Sequence, residues 1–292
     1  MTIITPNYYN KFKCIADKCK HSCCIGWEID IDDTTLKKYN NLKSDFANRL
    51  KSNISLANAP HFKLDKSERC PFLNEQGLCD IILNEGEDML CQICADHPRF
   101  RNYYGDFTEI GLGLACEAAA KIILTNKERA ALNLTPKALE LPIIKFRENI
   151  FDILQDREFS IDERVENLLT FIGAQLPFDA DWYTVFNNLE KMDKAWDKYL
   201  LHIKDGIDCY TDNSLDAAYE QLLVYLIFRH LLDSQYDDYL KERVLFAVLI
   251  YKVIKKINTS NTLEELLEIA RIYSCEIEYS DENIDTILSK LR

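Results

Sequence analysis

The chain has 292 residues, enough for one large domain or two moderate ones, and its 47% apolar and 28% charged residues supply a core and exclude global disorder. With 35 Lys and Arg against 48 Asp and Glu the net charge is -13, which argues against a duplex nucleic-acid binder, since such a protein displaces counterions with a basic face. No run approaches the roughly 18 apolar residues of a membrane span, and the opening Met1-Thr-Ile-Ile-Thr-Pro6 lacks the basic and apolar regions of a secretory signal, so no membrane partner and a cytoplasmic location are expected.

The chain holds 8 glycines and 7 prolines; glycine is well below the usual share of about 7%, which points to helices. In chain order, 27–31 is the one alternating run and reads as a brief strand. Short helices are predicted over 34–51 and 114–125, and the loops between cysteines carry turn formers at Cys23-Cys24-Ile-Gly26, Glu75-Gln-Gly77, Asn84-Glu-Gly86 and Tyr104-Gly-Asp106. From there the pattern is helical. Apolar residues at 143, 144, 146, 150, 151, 153 and 154 stripe a helix over 139–154. Ser160-Ile-Asp-Glu163 is a capping box opening a helix to about 171, and Asp181 caps a helix predicted to run through Trp182, Phe186, Trp196 and Leu200. Helices follow from Ser214 to about 232, from Asp237 or Asp238 to about 257, from the capping box Thr262-Leu-Glu-Glu265 over 263–273, and over 281–291.

Cysteine divides the chain. Nine of the 11 cysteines fall within the first 116 residues, and six of the eight glycines precede residue 116. The expected organisation is a Cys-rich metal-binding module over 1–125 and a helical domain over 126–292, packed together, with the boundary in the stretch 125–142 broken by Asn126, Asn133, Pro136 and Pro142. The expected fold class is mostly α: a helical C-terminal bundle packed on a loop-rich N-terminal module.

The cysteine groups are Cys14-x4-Cys19-x3-Cys23-Cys24, then Cys70 and Cys79, then Cys91-x2-Cys94, then Cys116. Cytosolic thiols stay reduced, so such groups signal metal binding or redox chemistry rather than disulfides. Two thiolates from one CxxC turn face a common ion, and four can hold zinc or an iron–sulfur cluster. His21 and His97 are the only histidines beside cysteines, so the donor set is nearly all thiolate and favours iron–sulfur, with zinc as the alternative. Nine thiolates exceed what one cluster needs, so either two centres exist or some cysteines only pack; Cys209 and Cys275 read as small buried hydrophobes. A radical enzyme on an α/β barrel does not fit the spacing, and no P-loop, GxSxG or Gly-rich dinucleotide turn is present.

The string Cys14-x4-Cys19-x3-Cys23-Cys24-x-Gly-Trp27, with Cys70-Pro-Phe-Leu73, Leu78-Cys-Asp-Ile81, Gly86-Glu-Asp-Met-Leu-Cys91-x2-Cys94, Pro98-Arg99 and Leu114-Ala-Cys-Glu-Ala-Ala119, resembles the flagellin lysine-N-methylase family. That family belongs to a wider group with a CxxCxxCC-type cluster expected to chelate zinc or iron. Tyr219-Glu220 and Tyr225-Leu-Ile-Phe-Arg-His230 resemble its C-terminal helix motif. The chain departs from the pattern at His97 and at Ala115-Cys-Glu117.

The resemblance implies methyl transfer from S-adenosylmethionine to a lysine of flagellin, or of a similar lysine-bearing protein, with a [4Fe–4S] cluster ligated among Cys14, Cys19, Cys23, Cys24, Cys70, Cys79, Cys91, Cys94 and Cys116. Lysine has a pKa near 10.4 and must lose a proton before it attacks; Glu117 and Tyr104 are the candidate catalytic groups. Arg99, beside the Cys91/Cys94 turn, and Arg229 with His230, which interrupt an apolar helix, are the candidate cofactor-binding residues. The rival readings are a non-enzymatic zinc- or iron-binding interaction or carrier protein, and a redox protein using the cluster.

Overall fold

The computed structural model describes residues 2–177, 181–192, 194–207 and 213–292; Cys209 lies outside the described residues. Among those described the chain is mostly helical. It forms two compact units, one of 13–100 and one of Met1–Phe12 with Arg101–Arg292. These divide the chain at other points than the sequence boundary at 125, and Cys116 falls in the second unit. The reason is pairing and packing: Thr2–Ile4 runs parallel to Phe107–Leu112, and the helix Glu117–Leu124 packs against Asp216–His230 and Leu263–Tyr273.

Unit 13–100 closes around aromatic rings. Phe62 and Phe72 meet edge to face at 4.9 Å, Phe46 adds its edge to Phe72 at 5.7 Å, and Tyr39 stacks on Phe62 at 6.2 Å. The helix expected over 34–51 is two, Asp33–Asn41 and Phe46–Ser52. The chain turns out at Leu42, and Lys51 donates back to the carbonyls of Asn40 and Leu42 at 2.9 and 3.0 Å, satisfying the orphaned end of the first helix. The strand expected over 27–31 is reduced to an isolated bridge between Asp30 and His61, because 61–62 pairs with Ile54–Ser55 instead. Asp32 works at two helix starts: one carboxylate oxygen accepts from Thr35 N, the other from Gln92 N, both at 2.9 Å.

Phe107–Leu112 lies between Thr2–Ile4 and Arg99–Tyr104 in a three-stranded sheet, and all of it but Arg99 and Phe100 belongs to the other unit. The sequence reading missed this sheet. Its signal was present: two runs rich in aromatic and β-branched residues joined by Gly105-Asp106, a two-residue hairpin turn. Glu109 in mid-strand disguised it. That carboxylate is fully buried and pairs with the equally buried Arg147 at 2.7 Å, while Arg147 also lies over the Phe228 ring at 5.5 Å.

The helix Asp216–His230 is buried on every side from Ala218 to Phe228, as expected of a helix apolar all round at the centre of a bundle. It packs against Leu240–Ile257, Pro142–Leu154, Ile161–Ile172 and Glu117–Leu124. The Ser160 capping box forms as predicted, and Gly173 ends that helix in the left-handed region at φ 58°. At Thr262 only half a box forms: Thr262 accepts from Glu265 N, and Glu265 turns to Ser260 N at 2.7 Å. The single helix expected from 181 to 200 is Trp182–Asn187 and Lys194–Leu200. Asn283 and Glu276 capture the amides of Glu190 and Met192 at 2.9 and 3.0 Å, and so hold the intervening backbone out of the helix.

Glu220 sits at the heart of this unit with its side chain fully buried, and Arg157 and Arg164 each reach it at 2.7 Å. Removing one partner leaves a charge buried alone. Glu220→Ala should therefore destabilise by about 3–5 kcal/mol, read as a lowered midpoint of helix loss in urea. Glu264→Ala, at an exposed position, should shift it by no more than about 0.5 kcal/mol.

Candidate functional site

Five thiols gather in unit 13–100. Cys70, at 6% exposure, and Cys91, at 0%, belong to the aromatic core, and the half-buried Cys24, Cys79 and Cys94 pack against it. Local backbone brings them there. Cys70 N donates to Cys24 O at 2.8 Å, fixing one pair of segments. Cys79 and Cys91 are the N-cap residues of the helices Asp80–Glu85 and Gln92–Asp96; amide ends of helices favour thiolate over thiol, but at Cys79 burial outweighs them and raises the pKa. The one-turn spacing of Cys91 and Cys94 sets their sulfurs 3.4 Å apart.

These thiols cannot all ionise together without a cation. A hydrogen bond with Cys23 brings Cys24 down to about 7, while burial pushes Cys70 up to about 12. The hydrogen bond with Cys94 holds Cys91 low, and the same contact drives Cys94 up. A soft cation removes this conflict by taking charge from every sulfur, so the donor chemistry fits a thiolate-bound metal centre. Among the described residues, no group of three or more His, Cys, Asp or Glu side chains already stands in a metal-binding array.

Of the remaining predicted ligands, Cys23 reaches the group through its hydrogen bond with Cys24. Cys14 and Cys23 are exposed and Cys19 half-buried; Cys14 accepts from Ala16 N at 3.4 Å, and Cys19 donates to His21 O at 3.2 Å. Cys116 is the N-cap residue of Glu117–Leu124 in the second unit. The ten described cysteines are free thiols.

Glu117 is the first residue of its helix, which starts three residues later than the predicted 114. Tyr104 donates to Asp233 at 2.8 Å and stacks on Tyr236 at 6.0 Å; burial and the Asp233 charge raise its pKa, so it is held as the phenol. Arg99 belongs to unit 13–100 and donates to Ala95 O at 3.4 Å.

Arg229 and His230 converge on a residue that the sequence reading did not single out. Glu278, with its side chain fully buried, lies 3.3 Å from Arg229 Nε and 3.1 Å from His230 Nε2. It accepts from Tyr225 at 2.7 Å and from the Ser274 hydroxyl. Arg229 also donates to the Tyr225 oxygen at 3.1 Å and to the Glu278 carbonyl at 3.3 Å. A π-helical turn, Ser274–Glu278, carries the carboxylate. A charged pair in an apolar helix demanded a partner, and Glu220 and Asp233 were nearer in sequence. Glu220 is taken by Arg157 and Arg164, and Asp233 by Tyr104 and Arg243. Nothing in the local pattern Glu276-Ile-Glu278 marked the residue.

Over 142 residues the chain is 30% identical to the protein named Lysine-N-methylase in Salmonella typhimurium, and equally to that of Salmonella choleraesuis. These matches take in 46% of this chain and 35% of each relative, so the matched stretch spans about a third of their length. Over 139 residues the chain is 32% identical to the flagellar biosynthetic protein FliU of Salmonella muenchen, and the match covers 45% of this chain and 82% of that protein. The chain belongs to the flagellin lysine-N-methylase family. No family model and no solved structure matches it. Among the described residues no helix is long and apolar enough to cross a membrane.

Two outcomes follow from the geometry. Cys91→Ser should abolish metal retention, because a neutral hydroxyl is a poor ligand for a soft metal, whereas Cys275→Ser should keep the metal and cost about 1 kcal/mol; elemental analysis of anaerobically purified protein separates them. The second concerns pH. Burial would raise the Glu278 pKa, but the Arg229 charge with the His230 and Ser274 hydrogen bonds overrides it and holds the group at about 2, against 4.5 ordinarily. A lowered folded-state value means that Glu278 contributes stability above pH 4.5, and loses it as pH falls towards 2. Glu278→Gln should flatten the stability profile across that window, measured by urea titrations.

Proposed function

We propose that the protein is an S-adenosylmethionine-dependent lysine N-methyltransferase acting on flagellin or a similar lysine-bearing protein, with an iron–sulfur centre held by the N-terminal cysteines. The observation that carries this reading is the 32% identity over most of FliU together with the 30% identity to two proteins named Lysine-N-methylase. The five gathered thiols support the metal part. They exceed the four thiolates that one cluster takes, and zinc is the alternative occupant of the same donors. Bound there, the centre would supply the positive charge that lets neighbouring thiolates coexist, and would tie together segments otherwise joined by loops.

The chain's own residues divide the remaining work. The attacking lysine must be neutral, and its ordinary pKa near 10.4 leaves it charged. Glu117 is proposed as the acceptor of that proton. Tyr104, held as a phenol, can take a proton only by passing its own to Asp233, so the two would act as one relay. Arg229, held by Glu278 and Tyr225, offers a guanidinium for a carboxylate of the methyl donor, and Arg99 is proposed as a basic group beside the Cys91/Cys94 turn within unit 13–100. His230 stays neutral because burial outweighs its pairing with Glu278, so it serves as an orienting hydrogen-bond partner.

Anaerobically purified, metal-loaded protein should transfer methyl groups from S-adenosylmethionine to flagellin, seen by mass spectrometry as lysines heavier by one methylene. Glu117→Gln should slow this by about 100-fold or more, the usual contribution of a general base, with metal content unchanged. Absence of transfer by metal-loaded protein would count against the methylase reading and for a metal-stapled interaction module.

A further inference from the structure

The Glu278 turn has a component that the hydrogen-bonding scheme above leaves over. Tyr273 closes the helix Leu263–Tyr273 directly before the π-helical turn and is fully buried. Its hydroxyl is enclosed by protein and has no hydrogen-bond partner. Burying an unmatched hydroxyl costs about 1–3 kcal/mol, and phenylalanine would fill the same space without that cost. The hydroxyl lies within electrostatic reach of Arg229, Glu278 and Tyr225. Tyr279, which follows the π-helical turn, neighbours the same Arg229, and the Arg229 side chain keeps 11% exposure, so this polar cluster is not wholly sealed.

The charges limit what such a cluster accepts. Arg229 and the ionised Glu278 cancel, and His230 is neutral, so a bare anion would leave a net negative charge in a poorly solvated place. A zwitterion adds no net charge. Its carboxylate finds a guanidinium and a phenol donor, and its ammonium balances the charge that the carboxylate brings. Glu278 is saturated by Tyr225, Ser274, Arg229 and His230, which suits it to fix the guanidinium rather than to react.

We infer that Arg229, Tyr273 and Tyr279 form a recognition site for a zwitterionic α-amino-acid group, with Tyr273 donating to its carboxylate and Glu278 acting as a positioning residue. This rests on the methylase reading in that the methionine end of S-adenosylmethionine is the ligand of that class. It adds Tyr273, Tyr279 and Glu278 to the site.

The test is calorimetric titration of metal-loaded wild type and Tyr273→Phe with S-adenosylmethionine and with its decarboxylated analogue. The variant loses one unpartnered hydroxyl, so it should fold with unchanged or raised melting temperature and unchanged metal content. It should bind S-adenosylmethionine at least about tenfold more weakly, the loss of one hydrogen bond to a charged group. It should bind the analogue as wild type does. Equal affinity of both proteins for S-adenosylmethionine would overturn the inference and leave the methylase reading standing. Equal weakening towards both ligands would also overturn it, as a packing effect. No binding of S-adenosylmethionine by wild type would overturn both.

Discussion

A charge taken out of water needs a partner, and among the described residues the helical unit has three places where a fully buried carboxylate is met by arginine. Glu109 meets Arg147 between the sheet and the helix Pro142–Leu154, Glu220 meets Arg157 and Arg164, and Glu278 meets Arg229. In each pair the carboxylate is fully buried, and the partners come from segments distant in sequence. Apolar packing alone is non-directional and tolerates small slides between helices. A buried ion pair does not, because separating it strands both groups at a cost of several kcal/mol. The apolar helices provide the bulk of the burial, and the pairs fix which faces meet.

The same rule, with sulfur in place of carboxylate, governs unit 13–100. A hydrogen bond with Cys23 and the Arg69 charge lower one of its thiols, Cys24, and the proposed metal centre would supply the cation for the rest. Buried and half-buried thiols lie among aromatic rings, with sulfurs of Cys91 and Cys94 in contact. The contact that favours a thiolate at Cys91 disfavours one at Cys94, a conflict that binding of a soft cation relieves. Cys14 and Cys23 are exposed, and Cys23 still reaches the group through its hydrogen bond with Cys24.

Irregular backbone occurs in the helical unit where the polar groups are concentrated. The hairpin turn Gly105-Asp106 follows Tyr104, which is bound to Asp233. The π-helical turn Ser274–Glu278 inserts a wider loop of backbone into a helix and carries Glu278 to Arg229. A regular α-helix repeats every 3.6 residues and would point that carboxylate elsewhere. The departure from regular geometry is what lets one acidic residue collect four donors.

The sequence by itself determined the helical character, the main helices of the C-terminal half and the cysteine-rich start. These rest on local physics: the Ser160 box and the Asp181 cap satisfy amides three residues away, and the 3.6-residue stripe is read within one helix. The cysteine groups and the flanking Cys-Pro-Phe-Leu and Pro-Arg strings sufficed to suggest the family. Contacts between distant segments were not legible. Lys51 capping residues 40 and 42, Asn283 holding Glu190 out of a helix, and Thr2–Ile4 joining Phe107–Leu112 each join positions whose local pattern says nothing of the other. The need of Arg229 for a carboxylate was visible, but its identity was not. Glu220, Asp233 and Glu278 are chemically equivalent as letters, and only the fold, by spending the first two on other partners and winding a π turn under the third, decided among them.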